Sequence, residues 1–319
     1  MHPESKNIRL LITGIRGFVG SNLLEYLRKH GGYHVTGTSR NADDLRHLES
    51  EDLTILSNDE VYTRWDSYDA YIHLAGKVHD VHDKNNDAAY FRANYDATRA
   101  LYRRFKEDKR ARKFIFLSTI HVLTETPEME LDEHYVPQPF TPYGKSKYKA
   151  ETYIKSNASP DKLYYILRPS MIHGPGNKGN LNLLYQLVKS GIPYPVKAFN
   201  NKRSFVSIEN LCFIIRELIE GEVEQGLYHV ADDEPTYTHD LVKLIADATD
   251  KKGRIWYVPP LLLNLTARVG NILPLPLNEH RLKKLTGDFT VSNRKLKEAL
   301  GKELPVRARE GLIRTLDNL

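Results

Sequence analysis

"LLITGIRGFVGSNLLEYL", Leu10 to Leu27, decides the fold. Four residues of buried-strand type are closed by Gly14, and leucines at helical spacing follow Gly17 and Gly20. Glycines at such a strand–helix junction allow a tight turn, close backbone approach to a pyrophosphate, and tight helix–strand contact. The helix N-terminus adds free N–H groups and partial positive charge for an anion. A glycine triplet alone also suits an ordinary βα turn, so the neighbouring sequence has to decide.

Outward from this unit the chain alternates. "YHVTGTSR" reads as a second strand, and "AYIHLAG" (Ala70 to Gly76) and "KFIFLST" (Lys113 to Thr119) as further buried strands. A single helix is expected over "NYDATRALYRRFKED", and "LYYILRPSMIHGPG" reads as a strand that breaks into a Pro/Gly-rich loop. This alternation predicts right-handed crossovers and an α/β, Rossmann-type doubly wound parallel sheet. Beyond about residue 175 it loosens into the helices "LNLLYQLVKSG", "IENLCFIIRELIEGE" and "THDLVKLIADATD", with the short strand "GLYHVAD". We expect a dinucleotide-binding domain over residues 1–170 plus about 205–230. A smaller C-terminal substrate-binding domain is expected over 171–204 and 231–319.

The 319 residues can bury a sizeable core, and 40% hydrophobic with 27% charged residues is ordinary for a globular chain. No run is apolar enough to span a membrane, the N-terminus lacks signal-peptide anatomy, and the single cysteine, Cys212, excludes a disulfide framework; a cytoplasmic protein is expected. The net charge of +5 favours anionic partners. The one dense basic run, "RRFKEDKRARK", is interrupted by acids and reads as the outer face of a helix end, so a phosphate-bearing small molecule is expected rather than nucleic acid.

The second strand selects the dinucleotide. An acid at its end would hold the ribose hydroxyls of NAD, but "GTSRN" places Ser39 and Arg40 there, and Arg16 stands in the glycine loop. Two guanidiniums and a hydroxyl favour NADP(H), with NAD(H) as the alternative. In "PFTPYGKSKYKAE", Tyr143 and Lys147 are one helical turn apart. An ammonium beside a phenol lowers its pKa and makes an acid/base couple. Ser118 and Thr119, ending a strand, could donate to a substrate oxygen.

In these motifs the chain resembles the extended short-chain dehydrogenases/reductases, the nucleotide-sugar epimerase/dehydratase family. "TGIRGFVG" resembles TGxxGxxG, "HLAG" follows the fourth strand, "LSTIHV" holds the hydroxyl pair, and "YGKSK" is similar to YxxxK. The likeness continues through "LRPSMIHGPG", "RSFVSIENL" and "YHVADDEPT", nearly the whole chain. It implies that Tyr143 is the general acid/base, Lys147 lowers its pKa and holds the nicotinamide ribose, and Thr119 is the catalytic hydroxyl with Ser118 beside it. Asn94 would support the active site and Arg203 would bind the substrate diphosphate. Gly14, Arg16, Gly17, Phe18, Val19, Gly20, Ser39, Arg40, Leu74, Ala75, Gly76 and Ser170 would line the cofactor site; His79, His121 and Asn180 would join Arg203 at the substrate.

The family's 4,6-dehydratases carry an Asp-Glu pair after the threonine; Ile120 and His121 stand here, which argues against dehydration. Hydride transfer at a sugar carbon remains. The apparent NADP preference leans toward reduction of a UDP-4-keto-6-deoxy-N-acetylhexosamine for surface-polysaccharide synthesis, with a 4-epimerase as the alternative and a non-catalytic dinucleotide sensor as a third reading. A homodimer is expected by analogy. "KVHDVHD" (His79, Asp80, His82, Asp83) could suggest a metal, but no other group at ligand spacing joins it and none is expected. The apolar stretch "PPLLLNLTARVGNILPLPL" is read as core or lid helix, with a weak membrane-surface contact as the alternative.

Overall fold

The computed structural model describes residues 7–64, 66–78, 86–177, 180–191, 199–249, 256–272 and 278–319. The chain begins with β1 (Ile8–Thr13), α1 (Phe18–His30), β2 (Tyr33–Ser39), β3 (Leu53–Ser57), the short α2 (Glu60–Thr63) and β4 (Ala70–His73). Next come α3 (Asp87–Tyr90), α4 (Ala97–Glu107), β5 (Lys113–Leu117), α5 (Pro142–Ser156) and β6 (Leu163–Pro169). β7 (Met171–His173), α6 (Asn180–Lys189), β8 (Lys202–Arg203), β9 (Phe205–Ser207), α7 (Ile208–Glu220) and β10 (Gly226–Val230) follow. The chain ends with β11 (Thr236–Tyr237), α8 (Thr238–Ala248), α9 (Pro260–Ile272), α10 (Glu279–Thr286), α11 (Arg294–Leu300) and α12 (Ala308–Leu316).

Seven parallel strands form one sheet in the order β10-β6-β5-β4-β1-β2-β3. Strand alternation divides its two faces. Leu10 and Ile12 of β1 face a core shared with α1 and α7, whereas Leu11 faces the core of Tyr71, Phe114 and Phe116 with α4 and α5. Burial on both faces is why these strands read as unbroken apolar runs. β10 lies at the sheet edge beside β6, although 56 residues separate Val230 from Gly174 in a chain that leaves the sheet between them. Outside the sheet, α6, α8 and α12 share a core with Phe205, while α9 and α10 share a small one of Leu263, Ala267 and Leu282.

The strand order reverses between β1 and β4, and a doubly wound sheet opens its ligand crevice at the carboxyl ends there. Two expectations change in detail. The expected helix before β5 is α4, but helical structure starts earlier: α3 and a wider π turn, Phe91–Asp96, lead into it. The basic run is not all outer surface, because buried Arg104 donates to the Asp66 carbonyl at 2.6 Å and Lys113 donates to the Ile219 and Gly221 carbonyls. Neither is available to an external partner.

Candidate active site

The glycine loop joins β1 to α1 at the sheet's switch point. Gly14 has φ +75°, and a Cβ there would lie 2.9 Å from the backbone of Ala75. A Cβ at Gly20 would come within 2.3 Å of the Gly14 carbonyl, and one at Gly17 within 3.1 Å. Gly14 therefore abuts the backbone of Leu74 and Ala75 after β4, and Gly17 and Gly20 fold closely onto the carbonyl of Gly14. The first turn of α1, from Phe18, has neither an acidic residue nor a side-chain cap, so its dipole faces an anion unopposed. Ser170, after β6, is buried with its hydroxyl unpartnered, and a Cβ on Gly76 would reach Asn94 Oδ1 and Lys147 Nζ. These features fit a nicotinamide dinucleotide: a close-packed glycine turn and an unopposed helix N-terminus for its pyrophosphate, and an unpartnered buried hydroxyl beside the crevice.

At the adenosine end of that path, Ser39 is buried and accepts from the Asn41 N–H at 3.3 Å, while Arg40 is exposed. Arg16 is also exposed and pairs with Asp44 at 3.2 Å. Asp44 thus brings a carboxylate to the guanidinium of the glycine loop.

α5 starts where two prolines end the preceding segment: Pro142 occupies its first turn and the Thr141 hydroxyl accepts from Gly144 N–H at 3.1 Å. This sets Tyr143 at the mouth of the helix and Lys147 one turn deeper. Thr119, after β5, accepts from the His121 N–H at 3.2 Å, so its own proton is available to the Tyr143 phenol oxygen. The expected lowering of the phenol does not occur in the protein itself. Burial pushes Tyr143 up to about 12, with the Thr119 hydrogen bond opposing. Lys147 is 3% exposed, donates to the Leu117 carbonyl at 2.8 Å and lies over the Phe116 ring. Burial pushes it down to about 7, with Glu151 opposing. Loss of hydration outweighs the attraction between phenolate and ammonium that the spacing suggested.

Ser118 does not share Thr119's position. Its hydroxyl donates to Glu151 at 2.5 Å, and Glu151 is fully buried against Arg168 through contacts of 3.0 and 2.6 Å. The Ser118–Glu151–Arg168 cluster stands behind Lys147 and takes Ser118 away from any substrate oxygen. Neither Glu151 nor Arg168 was singled out in the sequence, though Glu151 lies one turn after Lys147 and Arg168 interrupts an apolar strand.

Asn94 sits within the π turn, fully buried. Its Oδ1 accepts from the Lys77 N–H at 2.7 Å, and its Nδ2 donates to the Lys77 carbonyl and to Ser146 Oγ, each at 3.0 Å. It pins the strand-four loop to α5, and the extra residue of the π turn is what turns its side chain there. A second connection was not foreseen. Thr98 Oγ1 donates to the Asn94 carbonyl at 2.5 Å and contacts His73 Nε2 at 2.9 Å, while His73 Nδ1 meets Thr13 Oγ1 at 2.6 Å. Thr98 has spent its proton, so His73 is the neutral Nε2–H tautomer accepting from Thr13. This relay ties β1, β4 and the π turn together beneath the crevice.

Of the residues expected at the substrate, His121 packs its ring against Phe289 at 5.7 Å, and Arg203 donates to the Lys284 and Leu285 carbonyls at the end of α10. The Arg203 guanidinium is thus engaged with the C-terminal segment. Asn180 opens α6; its side chain, like His79 and the rest of His79–Asp83, lies outside the described residues. Among the described residues no group of three His, Cys, Asp or Glu could hold a metal, and no helix is long and apolar enough to cross a membrane.

Residues 10–231 match the profile of the NAD dependent epimerase/dehydratase family. The chain belongs to that family. It is 30% identical to a UDP-glucose 4-epimerase of Vibrio cholerae, over 96% of this chain and 94% of the relative. It is 25% identical to a GDP-6-deoxy-D-mannose reductase of Pseudomonas aeruginosa, over 75% and 79%. The structure of a UDP-glucuronic acid 4-epimerase from Bacillus cereus in complex with NAD superposes with TM-score 0.77 at 17% identity, covering 98% and 96%. This family member is accordingly an extended short-chain dehydrogenase/reductase, a NAD(P)-dependent nucleotide-sugar enzyme of the epimerase, dehydratase and reductase group.

Proposed function

We propose that the protein is a 4-ketoreductase of a UDP-4-keto-6-deoxy-N-acetylhexosamine. The observation that carries this reading is the placing of two hydroxyls together: Thr119, whose oxygen accepts from the His121 N–H, stands within hydrogen-bond reach of the Tyr143 phenol, which burial biases further toward its protonated form. Reduction of a ketone needs a proton delivered to the developing alkoxide, whereas oxidation of a sugar hydroxyl needs a base to accept one. A bound nicotinamide dinucleotide supplies the hydride.

The residues divide the remaining work. Tyr143 gives its phenolic proton to the C4 oxygen, and Thr119 donates a hydrogen bond to the same atom. Lys147, anchored on the Leu117 carbonyl, holds the nicotinamide ribose and returns a proton to Tyr143. Asn94 keeps the Lys77 peptide and Ser146 fixed around them. Arg203, His121 and Asn180 receive the diphosphate and sugar. Ile120 is buried with Val122, Leu123 and Leu131, so one of the two positions that carry acids in the dehydratases is part of a hydrophobic core.

Arg16 and Arg40 would meet a 2′-phosphate, Arg16 exchanging Asp44 for it; NADPH should bind more tightly than NADH, and equal binding would refute that preference. Assembly as a homodimer belongs to the same proposal. A second reading, a UDP-hexose 4-epimerase, is favoured by the Vibrio cholerae relative. A non-catalytic sensor is disfavoured because the tyrosine, lysine and threonine are all present.

The test is absorbance at 340 nm on mixing protein, NADPH and the 4-keto sugar, with product analysis. Stoichiometric loss with a 4-hydroxy product is expected. Interconversion of glucose-type and galactose-type UDP sugars without added dinucleotide would replace this reading with the epimerase.

A further inference from the structure

We propose that Ser146 and Thr98 are positioning residues, two buried hydroxyls that fix where Tyr143 stands in the crevice. The inference rests on the proton-transfer role given to Tyr143 above and holds for either direction of hydride transfer. Both side chains are fully buried, Thr98 in α4 and Ser146 in α5. Neither residue type serves a helix interior for its own sake, because the hydroxyl competes with the backbone and alanine does not. Each hydroxyl is bonded back onto its own segment. Thr98 Oγ1 donates to the Asn94 carbonyl, four residues earlier, at 2.5 Å, and Ser146 Oγ donates to the Tyr143 carbonyl, three residues earlier, at 2.8 Å. Back-bonds of this kind bend a helix where they form. The carbonyls they engage belong to Asn94 and Tyr143, both expected in the active site.

A carbonyl can only accept, so each hydroxyl has given up its proton and accepts from a neighbouring element. Ser146 accepts from Asn94 Nδ2 at 3.0 Å, and Thr98 accepts from His73 Nε2 at 2.9 Å. The Asn94 amide cannot turn over, because its Oδ1 accepts from the Lys77 N–H. The donors therefore run one way. The Ala75 N–H gives to Thr13 Oγ1 at 3.2 Å, Thr13 to His73, His73 to Thr98, Thr98 to Asn94, Asn94 to Ser146, and Ser146 to Tyr143. The series starts where Ala75 abuts Gly14 and ends on the backbone of Tyr143. Its five linking side chains are each 6% exposed or less, so little water competes for the bonds, and aligned bonds strengthen one another. The start of α5 is also seated on backbone: a Cβ at Gly144 would lie 2.7 Å from the His121 carbonyl. Gly144 and Ser146 thus hold the first turn of α5 at two points. Proton transfer needs the phenol within hydrogen-bond reach of the reacting oxygen, and a displacement of about 1 Å can cost about 100-fold in rate.

Turnover is read at 340 nm with NADPH and the 4-keto sugar, or as interconversion of UDP-glucose and UDP-galactose where that is the reaction. Ser146→Ala should lower kcat at least about tenfold while the Kd for the dinucleotide, from fluorescence titration, keeps its wild-type value. Thr98→Val should act in the same direction, and Thr98→Ser, which keeps the hydroxyl, should restore kcat. The deciding comparison is a double-mutant cycle. In a Tyr143→Phe background Ser146→Ala should cause no further loss, because a residue acting through the phenol then has nothing left to position. Wild-type kcat in Ser146→Ala, measured well below its melting temperature, would overturn the proposal. So would an equal loss in the Tyr143→Phe background, which would make the serine a support of the fold as a whole. Near-normal turnover in Tyr143→Phe alone would remove the role of Tyr143 itself, and this inference with it.

Discussion

Mild acid should destabilise this protein through two buried histidines before its carboxylates contribute. His73 is 2% exposed, and its hydrogen bonds to Thr13 and Thr98 require the neutral ring; burial, then the charge of Lys147, pushes it down to about 3. His229 is fully buried and is pushed down to about 4 by burial and then by Arg168. In the unfolded chain both titrate near about 6.5. The folded values lie below the unfolded ones, so below about 6.5 the unfolded chain binds protons that the native state refuses. Their contribution is complete above that pH and is lost progressively as pH falls toward the folded values. At about 1.4 kcal/mol per pH unit, lowering the pH to about 5 removes about 2 kcal/mol for each histidine, about 4 kcal/mol together. That is a large share of a typical stability of about 5–15 kcal/mol, and most carboxylates are still ionised at about pH 5. Urea unfolding at about pH 7.5 and about pH 5 measures the difference. In His73→Gln, whose amide can still accept from Thr13 and donate to Thr98, the acid-induced loss should fall to about half the wild-type value. A loss as large as that of the wild type would show that His73 is not held neutral and that the relay beneath the crevice is misassigned.

Three further outcomes follow from the site. Tyr143→Phe should lower turnover by about 10²–10⁴ with dinucleotide affinity nearly unchanged, measured by 340 nm kinetics and fluorescence titration; near-normal turnover would refute its role as proton donor. Gly20→Ala places a Cβ 2.3 Å from the Gly14 carbonyl and 2.8 Å from Ile15 Cα, both backbone atoms that cannot swing aside. It should cost about 1–3 kcal/mol by thermal melting and weaken dinucleotide binding in proportion. Glu151→Gln leaves Arg168 buried without its counter-charge and should cost about 3–5 kcal/mol in urea unfolding. It also removes the group that holds Lys147 up, so the pH above which activity declines should move downward; an unchanged alkaline limb would separate Glu151 from the lysine.

The legible parts of the sequence were those where function demands a local pattern. Glycines at residues 14 and 20 have to be glycine because backbone occupies the Cβ positions, with Gly17 nearly as tight, and Tyr143 and Lys147 sit one turn apart on a helix whose start Thr141 and Pro142 mark. The rest depended on contacts that no spacing reveals. Thr13 and His73 are 60 residues apart and meet only because β1 and β4 are neighbours in the sheet. Arg168 looks like an odd residue in an apolar strand until Glu151 is found opposite it. The stretch from Asn94 reads as a helix and α4 bears that out, but nothing in its apolar spacing marks the wider winding of Phe91–Asp96 or α3 before it. The guanidinium of Arg203 reaches the carbonyls at the end of α10, about eighty residues later in the chain, a contact that its local sequence does not reveal.

The sign of the tyrosine shift carries a wider point. Proximity of Lys147 suggested a phenol made acidic by an ammonium, but burial acts on both groups and drives each toward its neutral form: the phenol up to about 12, the amine down to about 7. A pair so placed contains one mobile proton near neutral pH rather than a standing ion pair. The lysine is close to its midpoint, so its charge follows whatever charge lies nearby, and Glu151 one turn deeper is the fixed group that biases it toward the ammonium. Glu151 can do so without adding net charge to the interior because Arg168 balances it. In the proposed reduction, the Ser118–Glu151–Arg168 cluster would therefore set how much of Lys147 is available as a proton source for Tyr143. The alkaline limb of the pH–rate profile should report the lysine, not the tyrosine.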